Sequence, residues 1–345
     1  MSAQTEQAPR SPYIVGPGFD WAFFLLPPAL ALAAGILISG TAYSDATFSL
    51  LDQETTWAEL SLGALIHAHL VAVFFRSHGN ARIFSLYPGR FIWIPLILWL
   101  GIAGSAVIAV TATVVATFWD VWHSGAQTFG FARIYDRNAG VPPHECRRLE
   151  FWMNQLLYAG PILAGATLLP HVSAFEDLED VGITLFSAVP IEMERSQGTI
   201  ALIVLVLGSA LALAYLLVHV RAHRRGIRFS KLKVYLVAST GLCSIYTWGF
   251  NSWGEAFFIM NLFHAIQYLA LVWVTERKNI QERLIGSPTA KLRGLALFFG
   301  LVFGYGVLAQ VADPGLTGIW ALTLVVSLMH FWYDSFVWSV RKKQV

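Results

Sequence analysis

The chain has 345 residues and two cysteines, and it is 56% hydrophobic but only 13% charged, with a mean hydropathy of +0.58. Soluble domains carry about 25% charged residues, so this composition excludes a disordered or nucleic-acid-binding chain and points away from a soluble globule. The 23 Lys+Arg and 21 Asp+Glu nearly cancel, and two cysteines exclude a disulfide framework or a Cys-rich metal site.

A membrane-crossing helix needs about 20 apolar residues. Residues 1–20 read as a polar segment without the apolar core of a cleavable signal. Ten apolar segments follow, at 21–40, 60–75, 91–102, 106–131, 151–170, 198–218, 232–250, 256–274, 295–311 and 318–340. Gly101 and Gly104 suggest a tight turn inside 91–131, which reads either as two helices or as one kinked helix. A basic tail, 341–345, closes the chain. The expectation is an all-α polytopic membrane bundle of about ten helices, with 21–340 as a single domain.

Lys and Arg resist translocation. With ten crossings and the N-terminus inside, 22 of the 23 basic residues fall on the cytoplasmic side, and only Arg195 falls opposite. Losing one helix would invert part of this pattern, so both termini are expected in the cytoplasm of a bacterial-type inner membrane. Acidic loops around Asp45–Glu59 and Glu176–Asp180 suit the outer side, and Trp21, Trp57, Trp253 and Trp338 suit an aromatic belt. Gly300 and Gly304 have the spacing of a small-residue helix contact. No internal repeat or broken helix is apparent.

Ionisable residues at membrane depth mark function by default. Four apolar segments carry them: His67 and His69 with Arg76 and His78 at the cytoplasmic exit, then His123 with Gln127, His264 with Gln267, and His330 with Asp334. All four segments run from outside to inside. At about 1.5 Å per residue, His69 lies roughly 9 Å from its cytoplasmic end, His123 about 12 Å, and His264 and His330 about 15 Å. Four imidazoles thus share one layer, where a bundle core can hold a metal or cofactor. His67 and His69 are about 200° apart around their helix, so only one can face that layer. Gln127, Gln267 and Asp334 sit three or four residues from a histidine, where a side chain can orient the ligand or add a donor. Arg76, at the cytoplasmic mouth, is a candidate for binding an anionic substrate head group. His144, His171, His219 and His223 read as surface residues, and Cys146 and Cys243 as inert.

An imidazole donor set without thiolate suits iron, copper or zinc. The expected function is a metal-dependent oxygenase or oxidoreductase, with non-haem iron(II) held by His69, His123, His264 and His330 and a lipophilic substrate drawn from the membrane lipids. Copper, zinc or haem are alternative cofactors. The alternative functions are a haem- or quinone-binding electron carrier and a transporter with a histidine proton relay. Same-helix histidine spacings of 2, 9 and 11 differ from the longer spacing of a two-haem bundle.

The strings His69-x6-Arg76, Trp122-His123-x3-Gln127-x2-Gly130, His264-x2-Gln267-Tyr268 and His330-x3-Asp334-x3-Trp338 resemble those of a multi-histidine family of bacterial integral-membrane proteins. More distantly, single histidines on successive helices are similar to the plan of the Brp/Blh-type β-carotene dioxygenases. That resemblance implies histidine-held iron and cleavage of a carotenoid. The chain lacks that family's full histidine–aspartate strings, and it lacks the eight-histidine boxes of membrane desaturases. What carries over is the iron rather than the carotenoid.

Overall fold

The computed structural model describes residues 11–51, 53–287, 289–312 and 317–338. The basic tail 341–345, Arg10 and the end of the last expected helix lie outside the described residues. The described chain is almost wholly helical, with one two-stranded hairpin. In order, a helical turn (Pro17–Asp20) and a π-turn (Trp21–Leu25) lead into α1 (Pro27–Ile38). The antiparallel strands β1 (Thr47–Leu50) and β2 (Gln53–Thr56) follow. Then come α2 (Trp57–Ser77), α3 (Pro88–Gly104), α4 (Ala106–Asn138), α5 (Arg147–Ala164), α6 (Val189–Arg224), α7 (Lys231–Phe250), α8 (Trp253–Asn279), α9 (Lys291–Gln310) and α10 (Thr317–Val337).

A helix or bent helix pair therefore occupies each expected apolar segment. Among the described residues, α2, α4, α6, α8 and α9 are long and apolar enough to cross a membrane unbroken, and two bent pairs raise the number from five to seven. α3 is short, at 17 residues, and it contains Pro95. α10 carries two ionisable residues, His330 and Asp334. Two helices are broken, contrary to expectation. The π-turn meets α1 at 48°, and α5 meets the segment Leu168–Val181 at 102°. Proline explains both breaks: Pro27 and Pro28 start α1, and Pro161 lies within the last turn of α5. Gly165 then lets the chain turn against Trp248 and Gly249, where any side chain would strike backbone.

The open question of 91–131 resolves into two helices. Ser105 is extended (φ −147°, ψ 117°) and its hydroxyl accepts the amide of Ile108 at 3.4 Å, so a single capping residue separates α3 from α4. α2 starts with a reciprocal cap. Glu59 N–H donates to Thr56 Oγ1 (3.1 Å) and Thr56 N–H to Glu59 Oε2 (2.9 Å).

α2 and α8 form the centre. α2 packs against α8, α9 and α10, and α8 also covers α1. In α8, 67% of the apolar stretch is buried within the protein, against none in α6. α6 thus lies at the rim, its apolar surface left for lipid. The expected Gly300–Gly304 contact is absent, because neither glycine has an atom within 4 Å of where a side chain would begin. The close approach comes instead at Gly306, which sits against the backbone of Ala64 and Ala68 in α2. Pressed this closely by α9, α2 carries His69 into the interior.

Candidate metal centre

Four rings meet at the centre of the bundle. His69 comes from α2, His123 from α4, His264 from α8 and His330 from α10, and all four are buried. Their centroids form a closed circuit: His69–His264 5.2 Å, His264–His123 5.2 Å, His123–His330 4.7 Å and His330–His69 5.0 Å. Neighbouring rings stand edge to face, at 71–87°. The Nε2 atoms of His123 and His330 are 3.1 Å apart. Two sets of possible ligands share His330: His69–His264–His330 and His123–His330–Asp334, each with donor atoms within 4.8 Å of one another.

The second nitrogens explain how the rings are aimed. His330 Nδ1 lies 3.1 Å from the carbonyl of Leu70. Donation of Nδ1–H to that carbonyl leaves the Nε2 lone pair facing inward, as ligating imidazoles require. This backbone carbonyl takes the role expected of Asp334. Neither nitrogen of His264 has a hydrogen-bond partner among the described residues, and the His69 ring faces the backbone of Ile66. Each buried polar group left unpaired costs about 1–3 kcal/mol, so the cluster is expensive unless something in its centre satisfies it. His67, as expected from its angle, turns to α9, with its ring 6.5 Å from that of Tyr305.

The two glutamines do not contact the rings expected for them. Gln127 Nε2 donates to the backbone carbonyl of His264 (3.1 Å) and lies 3.5 Å from Gln267 Oε1. Gln267 Nε2 donates to the carbonyl of Phe24 (2.7 Å). They tie α4, α8 and the π-turn together beside the cluster. Gln127 Oε1 is buried without a partner.

Asp334 lies alongside. Its Oδ1 accepts from Tyr268 Oη (2.7 Å) and from Trp338 Nε1 (2.8 Å). Its Oδ2 lies 3.8 Å from both His123 Nε2 and His330 Nε2. Tyr268 also packs on the His330 ring at 4.5 Å. Tyr268 and Trp338 both belong to the short strings around the histidines. Their spacing was the available signal, since each lies four residues after a site residue and hence on its face. Trp338 thus lies between Asp334, to which its Nε1 donates, and the Arg76 guanidinium.

Arg76 is buried and already paired. It bonds Glu276 Oε1 at 2.5 Å and the Val337 carbonyl at 3.3 Å, and its guanidinium lies 4.8 Å over the Trp338 ring. Asn80 and Asn279 complete the hydrogen bonds of Glu276. Nothing in the sequence links Arg76 to a residue 200 positions away.

A second buried polar assembly escaped the sequence reading. Lys233 Nζ bonds Asp136 Oδ2 (2.7 Å) and Glu150 Oε1 (2.6 Å), and Arg133 Nη1 bonds Glu150 Oε2 (2.5 Å). His219 Nε2 reaches Glu150 at 3.2 Å, so this histidine is not a surface residue. Nor is His171, which is buried between Trp248 and Trp253. Cys146, in the loop before α5, fits the inert reading: burial and the adjacent Glu145 push its thiol up to about 11.

An apolar cleft of about 440 Å³ opens on the outer surface between α3, α4 and α10, lined by Leu98, Val115, Trp119, Met329 and Trp332 among others. Trp119 contacts Phe331 (6.2 Å), and Phe331 contacts His123 (5.1 Å). Two aromatic rings thus separate the cleft from the cluster.

Comparison with known protein families, with curated proteins and with solved structures finds no match for this chain.

Proposed function

We propose that this protein is a membrane metalloenzyme in which His69, His123, His264 and His330 hold one transition-metal ion, foremost iron(II). In this reading it is an oxidoreductase of the non-haem oxygenase type, acting on a lipophilic substrate in a bacterial-type inner membrane. The Lys and Arg alternation supports ten crossings with both termini cytoplasmic.

One observation carries the reading. Four buried imidazoles from four helices converge, and neither nitrogen of His264 has a hydrogen-bond partner among the described residues. A cation between His69, His264 and His330 satisfies one nitrogen of each, and His123 joins through the set it shares with His330 and Asp334. Two donors bonded at right angles at about 2.1 Å stand about 3 Å apart, and the His123–His330 Nε2 separation is 3.1 Å. Bis-histidine haem is disfavoured by the same distance, because nitrogens on opposite sides of one iron stand about 4 Å apart. A transporter using broken helices gathers its ligands at the breaks, and neither break here carries a cluster histidine.

When bound, the ion would supply the redox chemistry. The chain's own residues do the rest. The Leu70 carbonyl fixes the tautomer of His330, Tyr268 and Trp338 hold Asp334, and the surrounding apolar side chains exclude bulk water. The lateral cleft offers a lipid-soluble molecule a route from the bilayer toward the Trp119–Phe331 wall. The test is metal analysis of the purified protein with its visible spectrum. Iron at one per chain without a Soret band is expected. A Soret band would move the assignment to haem, and protein with no metal under any loading condition would end it.

A further inference from the structure

Resting on the metal centre proposed above, we infer that Asp334 Oδ2 is itself a ligand of the ion, which adds a carboxylate to the imidazoles of His123 and His330. The argument is geometric. His123 Nε2 and His330 Nε2 are 3.1 Å apart, and Oδ2 is 3.8 Å from each. Three atoms with those separations lie on a circle of radius about 2.1 Å, the length of a metal–nitrogen or metal–carboxylate bond. One cation at its centre bonds all three without moving any of them.

The other oxygen shows why Oδ2 is the one presented. Oδ1 receives both Tyr268 Oη and Trp338 Nε1, so two donors from different parts of the chain hold the carboxylate by one oxygen. Bidentate binding would break both bonds. Tyr268 and Trp338 are therefore positioning residues, and Tyr268 also packs on the His330 ring. Arg76 pairs with Glu276. A carboxylate beside imidazoles is a donor set typical of non-haem iron sites. That pattern favours iron(II) or manganese(II). The carboxylate also offsets one charge of a divalent ion in a low-dielectric interior.

Cobalt(II) serves as the probe, since four-coordinate cobalt absorbs visible light several times more strongly than five- or six-coordinate cobalt. Purified full-length protein in detergent is titrated with Co²⁺. Wild type is expected to give weak bands at one cobalt per chain, and Asp334→Ala is expected to give bands several-fold stronger as coordination falls. Tyr268→Phe keeps the carboxylate but removes one clamp. It is expected to keep the weak bands and to bind cobalt roughly 10-fold more weakly, the low end for loss of a group supporting a ligand. It carries the test if Asp334→Ala does not fold. Strong bands in wild type that do not change in Asp334→Ala, or unchanged affinity in Tyr268→Phe, overturn the carboxylate ligand while leaving the histidine centre standing. Absence of cobalt binding in wild type overturns both.

Discussion

At the scale of single residues, the site divides into groups that would bind the ion and groups that aim them. His123→Ala or His330→Ala removes a donor whose partner nitrogen lies 3.1 Å away, and metal retention should be lost. Asp334→Asn keeps the shape and a neutral oxygen but loses the charge, and should weaken metal binding while leaving less damage than loss of a histidine. His144→Ala, at an exposed loop position, should leave metal content unchanged. Equal metal content in all four proteins would make the histidines packing residues. Arg76 invites a different experiment. Removing one member of a buried ion pair typically costs about 3–5 kcal/mol, because the other charge is left uncompensated. Arg76→Ala should therefore lower thermal stability sharply, and Arg76→Met with Glu276→Leu should recover most of it. A head-group role would instead show as weaker substrate binding at unchanged stability. The histidine layer was legible because depth follows from counting residues along straight helices. The partners of Arg76, Gln127 and His330 were not, because they depend on how each helix is rotated against its neighbours, which no local pattern encodes.

At the scale of elements, apolar runs made every long helix legible, and Gly101 and Gly104 flagged the turn at Ser105. The small-residue contact was misplaced because a spacing of four fits many pairs, whereas contact depends on which face meets α2. The structure chooses Gly306. Gly306→Leu should force α9 away from α2 and cost about 1–3 kcal/mol, as overpacking does, and it should loosen His69. Gly304→Leu, facing open space, is the matched control. Thermal unfolding in detergent reads both, and equal midpoints would show that α9 does not press on α2. Prolines at 27, 28 and 161 carried the information for the two breaks, but a proline near a helix end kinks some helices and merely starts or finishes others.

At the scale of the whole molecule, the distribution of positive charge argues for an even number of crossings. A reporter fused to the C-terminus should be active only if it is a cytoplasmic reporter. A signal from the opposite side would remove one of the weaker crossings, with α3 the first suspect at 17 residues. The Lys233 assembly has a consequence for how the protein is made. Arg133 and Asp136 leave the ribosome with α4, Glu150 with α5, and Lys233 only with α7. Until α7 is inserted, Asp136 and Glu150 share one guanidinium, that of Arg133, and lack the ammonium of Lys233. A nascent chain stopped between Arg224 and Lys231 should be recognised as incomplete and degraded faster than the finished protein in a pulse-chase experiment. Full-length Lys233→Met should share that short lifetime. Delivery of a single ammonium group late in synthesis would then mark the point at which the membrane's quality control releases the chain.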